Sequence, residues 1–325
     1  MVNVLMLSKW HVHAAGYARS VGEQPDARVC MVWDDDAQRG ADWAAELGVP
    51  FEPDLTKALA SPDVDAVLVD TPTSDHCRVM VAAAEAGKHI FTEKALAVTL
   101  ADCHVIAKAV KKNRVKFCIS HPQLTTPLAQ YCKQAINEGL IGDIHYMRMR
   151  TAHAGSLAGW LPAYWYDIEK AGGGAMMDLG CHPMYTAAYL LGKPRRIASI
   201  FNTTCAPKGV DDNSVCVVEF DNKAIAVLET SFVSPYQADC FELLGTEGAI
   251  TQVGDALKVR SNKVLADGWF TPDKLPPQQP AALRQWLDGI VNDAPILFDV
   301  DMGIALTELL ENAYISDREQ TIVKI

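Results

Sequence analysis

The chain has 325 residues, 49% of them hydrophobic, which is enough to bury a substantial core in about two domains of ordinary size. Its 40 acidic residues outnumber 29 basic ones and give a net charge of −11, which argues against a protein that binds nucleic acid or another phosphate backbone. The nine cysteines include no C-x-x-C pair, so no disulfide framework or cysteine zinc site is indicated, and we expect reduced thiols in a cytoplasmic protein.

The first 122 residues alternate between strand-like and helix-like segments. Short apolar runs with little polar alternation, typical of strands covered on both faces, occupy 2–7, 27–33, 64–70, 88–92 and 115–120. The segments between them carry apolar residues at helical spacing, and they end in Gly or Asn as many helices do. The first run is too short to span a membrane, so we interpret it as a buried strand. This order predicts a Rossmann-type, doubly wound parallel sheet over residues 1–122.

After about residue 195 the pattern changes from alternating strands and helices to consecutive strands. The strand-like segments are 195–205, 213–233, 239–250 and 256–261. Turn-like joints within them, FDNKA and GTEGA, predict antiparallel pairing. A glycine-rich stretch leads into a helix predicted over 174–191, and two helices close the chain. We therefore predict a second, α+β domain over 123–325 with a large, mostly antiparallel open sheet.

The turn after the first strand reads SKWHVH, where a dinucleotide-binding protein usually carries G-x-G-x-x-G. Ser8, Trp10 and His13 occupy the three glycine spacings. A helix N-terminus binds pyrophosphate through its N–H groups and its partial positive charge, and side chains here restrict access without removing the dipole. Ser8, His11 or His13 could donate hydrogen bonds and Trp10 could stack on a ring, or the Trp-His pair could pack the turn against a neighbouring loop. We expect this turn to bind a dinucleotide with altered geometry.

Other polar residues stand at the carboxyl ends of predicted strands, the edge where parallel sheets bind ligands. Asp34 ends the second strand, where an acidic residue accepts hydrogen bonds from ribose hydroxyls and repels a 2′-phosphate, which favours NAD over NADP. Some of the acids at 34–36 could instead cap the following helix. Thr71-Pro72-Thr73 follow the third strand, and His76 lies in the first turn of the next helix, either as a cofactor residue or as a surface histidine.

Four segments in this order resemble the glucose-fructose oxidoreductase / inositol dehydrogenase (Gfo/Idh/MocA) family of nicotinamide-dependent sugar and cyclitol oxidoreductases. They are WDDDAQRGADWAAELGVP, SPDVDAVLVDTPTSDHCRVMVAAAEAGKHIFTEKALAVTL, NEGLIGDIHYMRMRTAH and EKAGGGAMMDLGCHPMYTAAYLLG. The resemblance covers nearly the whole chain. Two departures lie where the family holds its cofactor, namely the absent glycines and Glu93-Lys94-Ala95 in place of the family's Glu-Lys-Pro.

The resemblance implies roles for individual residues. It makes Thr71-Pro72-Thr73 and Glu93 part of the cofactor site, Lys94 the catalytic lysine, and Asp178 and His182 the active-site pair. Asp178 and His182 are also four apart on the predicted helix and so share one face, where they are either that pair or a structural polar pair. In the implied mechanism His182 takes the hydroxyl proton as hydride leaves the carbon, Asp178 orients the substrate, and Lys94 stabilises negative charge on oxygen.

Aromatic and imidazole side chains near these positions suit a polyhydroxylated ring, although they could equally be lid or core packing. They are His121, His153, Trp160, Tyr164 and Trp165. A metal site is not favoured, because no H-x-x-x-H pair brings two histidines together locally.

We therefore expect an NAD-dependent dehydrogenase that transfers a hydride between nicotinamide and a hydroxyl-bearing carbon of a sugar, a sugar derivative or a cyclitol. The alternatives are a sugar lyase or glycosidase that retains NAD and oxidises its substrate transiently, and a non-catalytic sugar- or nucleotide-binding protein. We expect neither a nucleic-acid nor a membrane partner. A homodimer or homotetramer joined through the antiparallel sheet is expected from the apolar residues on its uncovered face.

Overall fold

The computed structural model describes residues 1–207, 209–236, 239–264 and 268–325, and its internal contacts divide the chain into two units. The first unit comprises Met1–Ser120 and Pro280–Thr307, and the second comprises His121–Gln279 and Glu308–Ile325. The predicted boundary after residue 122 lies near this division. The prediction differs from the structure at 280–307, which it assigned to the second domain.

The helices and strands follow one another in two series along the chain. The first series is β1 (Val2–Leu7), α1 (Ala14–Gly22), β2 (Ala27–Trp33), α2 (Ala37–Leu47), α3 (Leu55–Ala60), β3 (Ala66–Val69), α4 (His76–Glu85), β4 (His89–Thr92), α5 (Leu100–Asn113) and β5 (Phe117–Ile119). The second series is α6 (Pro127–Asn137), β6 (Ile144–Ala152), α7 (Ile168–Ala171), α8 (Ala175–Asp178), α9 (Cys181–Leu191), β7 (Pro194–Asn202), β8 (Asn213–Phe220), β9 (Ile225–Ser231), β10 (Cys240–Gly245), β11 (Gly248–Val253), β12 (Ala256–Ser261), α10 (Ala282–Asn292), α11 (Val300–Glu319) and β13 (Val323–Lys324). Among the described residues, no helix combines the length and the apolar composition that crossing a membrane requires.

The first unit is built on a five-stranded parallel sheet of order β2-β1-β3-β4-β5, as the sequence predicts. Strand order reverses between β1 and β3, and in such sheets ligands bind beyond the carboxyl ends of the strands at this switch point. Leu7 pairs with Val69, and Val69 pairs with Thr92. The register therefore places the next residues, Ser8, Asp70 and Glu93, side by side at the same edge.

Residues 280–307 join the first unit through contacts with β4, with β5 and with Asp26, the residue before β2. The Trp286 ring packs on Phe91 at 5.7 Å between centroids, and the N–H of Ile119 donates to the carbonyl of Phe298 at 2.9 Å. Arg284 of α10 donates to both carboxylate oxygens of Asp26 at 2.8 Å. These partners are far apart in the sequence, so the apolar spacing of α10 predicts a helix but not the unit to which it belongs.

The second unit contains an eight-stranded sheet of order β12-β11-β10-β6-β9-β8-β7-β13. Every neighbouring pair is antiparallel except β6 and β9, which run parallel, so the predicted large, mostly antiparallel sheet is confirmed. The sequence analysis assigned no strand to β6, although its residues lie in a segment that carries the family resemblance. Residues alternate between buried and exposed along β8, and this leaves one side of the strand in contact with solvent.

The single helix predicted over 174–191 is wrong, because the structure has two helices there. Leu179 and Gly180 lie between α8 and α9. The N–H of Gly180 donates to the carbonyl of Ala175, five residues back, and the N–H of His182 donates to Leu179, three residues back. The regular i to i−4 ladder is thus interrupted. Asp178 ends α8 and His182 lies in the first turn of α9, so the two do not share the face of one continuous helix.

Candidate functional site

The turn after β1 holds a defined shape without the usual glycines. Ser8 has a φ of 74°, in the left-handed region that favours glycine, and its N–H donates to the carbonyl of Trp33 at 2.7 Å. The Ser8 hydroxyl oxygen accepts the N–H of Trp10 at 3.1 Å, and the Trp10 ring is buried. The N–H of His11 donates to the carbonyl of Asp70 at 3.0 Å. Hydrogen bonds from and to Ser8 therefore shape this turn, and the N–H of His11 fastens it to the residue that follows β3.

Two histidines of this turn meet the carboxylate of Glu93, and we call His11, His13 and Glu93 the His–Glu cluster. The two imidazole centroids lie 4.7 Å apart, and Nδ1 of His13 lies 2.9 Å from Oε1 of Glu93. The Tyr17 hydroxyl donates to the same carboxylate, and its oxygen lies 2.7 Å from Oγ of Ser120. His11 and Glu93 are buried, whereas the His13 side chain is 53% exposed. The cluster is therefore reached from solvent at His13.

The pKa values of the two acids at this edge are shifted in opposite directions. Burial alone would raise the pKa of Glu93, but His11, His13 and Lys94 hold it well below its ordinary value, so Glu93 is ionised. The pKa of Asp70 is raised well above its ordinary value, first by burial and then by the charge of Glu93. Neither carboxyl oxygen of Asp70 has a hydrogen-bond partner among the described residues. Lys94 is also buried, and its N–H donates to Oε2 of Glu93 at 3.0 Å.

Asp34, the residue predicted to bind the cofactor ribose, is held by its neighbours. It accepts the N–H groups of Lys9 at 2.9 Å and Asp36 at 3.0 Å, and Nε of Arg39 at 3.0 Å. Burial opposes ionisation of Asp34, but the hydrogen bond from Arg39 and the backbone donors bring its pKa below the ordinary value. Asp36 accepts the N–H of Arg39 at 3.0 Å and caps α2, as the alternative interpretation of these acids proposes. The sequence analysis missed Arg39, whose only signal is a cation five residues after Asp34.

His76 is an interior residue, so its interpretation as a surface histidine is wrong. Its ring nitrogens lie 3.0 Å from the carbonyl oxygen of Ala95 and 3.2 Å from that of Thr71, and burial lowers its pKa. The imidazole therefore connects the loop after β3 to the loop after β4. Pro72 follows Thr71, and Thr73 begins a short 3₁₀ turn that leads into α4.

In the second unit a tyrosine joins two of the predicted site histidines, and we call His121, His182 and Tyr185 the imidazole–tyrosine cluster. Nδ1 of His182 lies 2.6 Å from the Tyr185 hydroxyl, which also accepts the N–H of Gln123 at 3.2 Å. The Tyr185 ring stacks on His121 with centroids 4.3 Å apart and planes 20° apart. Tyr185 was not predicted as a site residue, although a polar aromatic residue three positions after His182 on a helix is a usable signal.

Asp178 is bordered by aromatic residues of the preceding segment. Nε1–H of Trp165 donates to Oδ2 of Asp178 at 3.3 Å. Burial lowers the pKa of His153, while the charge of Asp178 acts in the opposite direction, so His153 lies within electrostatic reach of that carboxylate. The His153 ring stacks on Phe232 with centroids 4.9 Å apart.

The remaining predicted aromatic residues face solvent. Trp160 packs its ring 4.7 Å from that of His153 and is 57% exposed, and Tyr164 is 42% exposed. Large exposed rings beside hydrogen-bonding groups are suited to sugars, whose apolar C–H faces lie between hydroxyls.

The start of α8, which carries Asp178, is anchored by a buried carboxylate that the sequence analysis missed. Asp211 accepts the N–H of Gly174 at 2.9 Å and that of Met176 at 2.8 Å, and it accepts the hydroxyls of Ser214 and Tyr314 at 2.8 Å each. A Cβ atom at Gly174 would lie 2.0 Å from the carbonyl oxygen of Asp211. The glycine-rich motif is thus explained by close packing against Asp211.

The donors at the edge of the first unit fit a dinucleotide. The turn after β1 leads into α1, whose N-terminus offers backbone N–H groups to an anion. Thr71 contributes a buried hydroxyl with no hydrogen-bond partner among the described residues, and Lys94 contributes an ammonium group. An acid, Asp34, stands at the end of β2, as in proteins that bind a ribose.

Comparisons with known proteins agree with this assignment. Residues 12–121 match the model described as "Oxidoreductase family, NAD-binding Rossmann fold", and residues 129–251 match the "GFO/IDH/MocA C-terminal domain". The chain is 29% identical to scyllo-inositol 2-dehydrogenase (NAD(+)) of Bacillus subtilis, over 93% of this chain and 91% of that protein. It is 28% identical to 2,7-anhydro-N-acetylneuraminate hydratase of Mediterraneibacter gnavus, over 75% of this chain and 67% of the hydratase.

A solved structure of levoglucosan dehydrogenase, in complex with NADH and levoglucosan, has the same fold. It superposes with a TM-score of 0.86 at 23% identity, over 100% of this chain and 99% of that one. The two family models together span most of the chain, and the model described as a Rossmann fold falls on the parallel sheet. The chain therefore belongs to the GFO/IDH/MocA family of NAD-binding oxidoreductases.

Proposed function

We propose that this oxidoreductase is an NAD-dependent dehydrogenase that acts on a hydroxyl-bearing carbon of a sugar, a sugar derivative or a cyclitol. The observation that carries the proposal is the environment of Asp178 and His182. The acid ends α8, the imidazole lies in the first turn of α9, and both are bordered by aromatic rings. The scyllo-inositol dehydrogenase similar to this chain supports the substrate class.

His182 is assigned as the general base. Nδ1 of His182 is hydrogen-bonded to the Tyr185 hydroxyl. We therefore assign the other ring nitrogen, Nε2, as the atom that takes the proton of the substrate hydroxyl. Tyr185 is a positioning residue, because it holds the imidazole while its own oxygen is held by the N–H of Gln123. Proton transfer by a positioned base contributes about two to four powers of ten to the rate. When bound, nicotinamide supplies the hydride acceptor.

Asp178 and Lys94 are assigned to stabilise the charges that develop during the reaction. Asp178, held by the indole N–H of Trp165, orients the substrate and stabilises the imidazolium that forms on His182. Lys94 is a buried cation that stabilises negative charge on the reacting oxygen, since a cation acts more strongly away from water. His121, His153, Trp160, Tyr164 and Trp165 are assigned to substrate binding.

The cofactor residues are proposed on the first unit. We assign Ser8, Trp10 and His11 of the opening turn to the cofactor, together with Thr71-Pro72-Thr73, Glu93 and Lys94. His76 supports the loop of Thr71 from the interior. The acid at Asp34 favours NAD over NADP, since an acid at the end of β2 accepts ribose hydroxyls and repels a 2′-phosphate.

The test begins with a screen of sugars and inositols for NADH formation by the purified protein. His182→Ala is then expected to lower kcat by about a hundredfold or more and to flatten the acidic side of the pH–rate profile. Asp178→Asn should lower kcat by a smaller factor, and Lys94→Met should lower kcat because it removes the cation. If the three residues act on one substrate, the losses in kcat should not be additive. NAD affinity should change little in the His182 and Asp178 variants.

The control is His145→Ala, which removes an exposed histidine of β6 in the same unit. It should leave kcat and the pH profile unchanged. If His182→Ala instead turns over at the wild-type rate with an unchanged profile, the mechanism is wrong and the Asp178/His182 pair is structural.

A second candidate is a lyase or hydratase that keeps NAD bound and oxidises its substrate only transiently, and it is supported by the similarity to the hydratase. Retention of NAD through purification, with substrate turnover but no net NADH, distinguishes this reaction from a dehydrogenase. A protein that binds no NAD would instead be the non-catalytic binding protein.

We also propose a homodimer or homotetramer. Along β7–β9, the side chains of Ile200, Val215, Val217 and Ile225 are exposed, although β-branched apolar side chains are usually covered. A second copy of the chain is the partner we assign to this face. The cytoplasmic location stays a prediction.

A further inference from the structure

The His–Glu cluster brings together a donor set that proteins use for transition metals. One ligand atom each of His11, His13 and Glu93 lies within 4.8 Å of the others. Bonds of about 2.0–2.2 Å to zinc place tetrahedral ligands roughly 3.3–3.6 Å apart, so small side-chain rotations close the site. Three protein ligands leave a fourth position open, as in many zinc sites that bind water or a substrate.

The Asp70 carboxyl is a second, independent indication of a missing ligand. Strand register places Asp70 beside Glu93 at the carboxyl edge of the sheet. Asp70 is completely buried, and neither of its oxygens has a hydrogen-bond partner among the described residues. A buried polar group without a partner is costly, and a bound cation beside it would remove that cost. Two carboxyl groups and two imidazoles at this edge of the sheet thus suit a cation.

We propose that His11, His13 and Glu93 bind a divalent transition-metal ion of the zinc type, with Asp70 beside the open coordination position. Two nitrogen donors and one oxygen donor select zinc, cobalt or nickel over magnesium, which prefers oxygen ligands only. His13 is half-exposed and provides the route by which the ion enters.

The absence of an H-x-x-x-H motif does not bear on this site. His11 and His13 are separated by one residue on a turn, where side chains do not follow helical spacing, and Glu93 is 80 positions after His13. Only the pairing of β1, β3 and β4 brings the three residues together. His11 and Glu93 are also assigned to the cofactor, so the metal site is tested on the chain without NAD and without any measurement of dehydrogenase activity.

The test measures metal binding by the full chain without NAD or substrate. After treatment with a chelator, the protein is titrated calorimetrically with Zn²⁺ and, separately, with Mg²⁺. We expect one saturable Zn²⁺ per chain and no comparable Mg²⁺ binding. A zinc-soaked crystal should show an anomalous peak between His11, His13 and Glu93.

Two variants and one control locate the site. His13→Ala and Glu93→Gln should each weaken Zn²⁺ binding. Removing a residue that supports a metal ligand lowers metal affinity roughly 10–100-fold, and we expect at least that loss when a ligand itself is replaced. His104→Ala, which removes an exposed histidine of α5 in the same unit, should not weaken Zn²⁺ binding. His13 is partly exposed, so its variant keeps the test valid even where Glu93→Gln impairs folding.

The proposal is overturned if no saturable Zn²⁺ binding occurs, or if His13→Ala binds Zn²⁺ as tightly as the unmodified protein. An anomalous peak elsewhere on the chain would overturn it as well. Because no readout involves NADH, its failure would leave the dehydrogenase proposal untouched, and the failure of that proposal would leave this one untouched.

Discussion

Replacement of Asp211 by Ala tests whether the segment that carries Asp178 depends on one buried carboxylate. Asp211 accepts four hydrogen bonds, from the N–H groups of Gly174 and Met176 and from the hydroxyls of Ser214 and Tyr314. The N–H of Gly174 keeps a second acceptor, the Tyr314 oxygen at 3.0 Å, and a hydroxyl can rotate toward another partner. The N–H of Met176 is the group most affected, because it loses the carboxylate oxygen that accepts its hydrogen bond.

We expect the variant to lose about 3–5 kcal/mol of unfolding free energy. Leaving a buried donor unsatisfied costs about 1–3 kcal/mol, and hydrogen bonds to a charged group contribute about 1.5–3 kcal/mol each before the remaining groups readjust. This is a large share of the roughly 5–15 kcal/mol that stabilises an ordinary domain. Asp211→Asn keeps one acceptor oxygen and should lose about 1–2 kcal/mol.

The assay is urea unfolding followed by circular dichroism, together with kcat on the substrate found by screening. Asp255→Asn is the matched control, since Asp255 is an exposed acid in the turn between β11 and β12 of the same unit. Asp211→Ala should lower the urea midpoint and, because Asp178 loses its support, also kcat. An Asp211→Ala protein with the midpoint and kcat of the control would refute this account of the glycine-rich motif.

Three further predictions follow from the site and the sheet. The pKa of Asp70 is raised in the folded state, so its stabilising contribution is complete below about pH 4, where the unfolded chain is also protonated, and is lost as pH rises toward the folded pKa. Asp70→Asn should therefore gain stability relative to the unmodified protein as pH rises. If the difference between the urea midpoints of the two proteins, measured in chelator, stays constant with pH, this account is wrong. NAD should bind more tightly than NADP and Asp34→Ala should narrow the difference in calorimetric titrations, whereas tighter NADP binding by the unmodified chain would contradict the assignment of Asp34. Light scattering at micromolar concentration should give a molar mass at least twice the 35.4 kDa of one chain, and the mass of a monomer would contradict the proposed sheet interface.

The sequence predicted those parts of the fold that depend on local pattern. The apolar runs at 2–7 and 27–33 coincide with β1 and β2. The helix-like segment between the runs at 88–92 and 115–120 contains α5, because strands covered on both faces and amphipathic helices each leave a short-range signature. The helix over 174–191 failed for the opposite reason. Its interruption lies at Gly180, where the backbone closely approaches the preceding turn, and apolar spacing does not encode this approach; a Cβ atom there would lie 2.2 Å from the sulfur of Met176.

The candidate site likewise contains residues that the sequence pattern indicates and residues that it does not. Residues that stand directly after strands, such as Asp34, Thr71 and Lys94, could be selected from the sequence because strand ends meet at one edge of a parallel sheet. Asp211 and Tyr314 could not, since they reach the glycine-rich motif from positions 37 and 140 residues beyond Gly174. Asp70 was counted as part of a strand, and only its complete burial without a partner distinguishes it from an ordinary strand residue.

The return of residues 280–307 to the first unit has a consequence for biosynthesis. When Ser120 leaves the ribosome, the strands β4 and β5 still lack Trp286 and Phe298, both of which are completely buried in the finished unit. At about 5–20 residues per second, translation of residues 121–279 takes roughly 8–30 s. During that interval the nascent first unit exposes the apolar surface that Trp286 and Phe298 later cover. A fragment ending at Ser120 should accordingly aggregate, whereas adding a peptide of residues 280–307 should restore solubility.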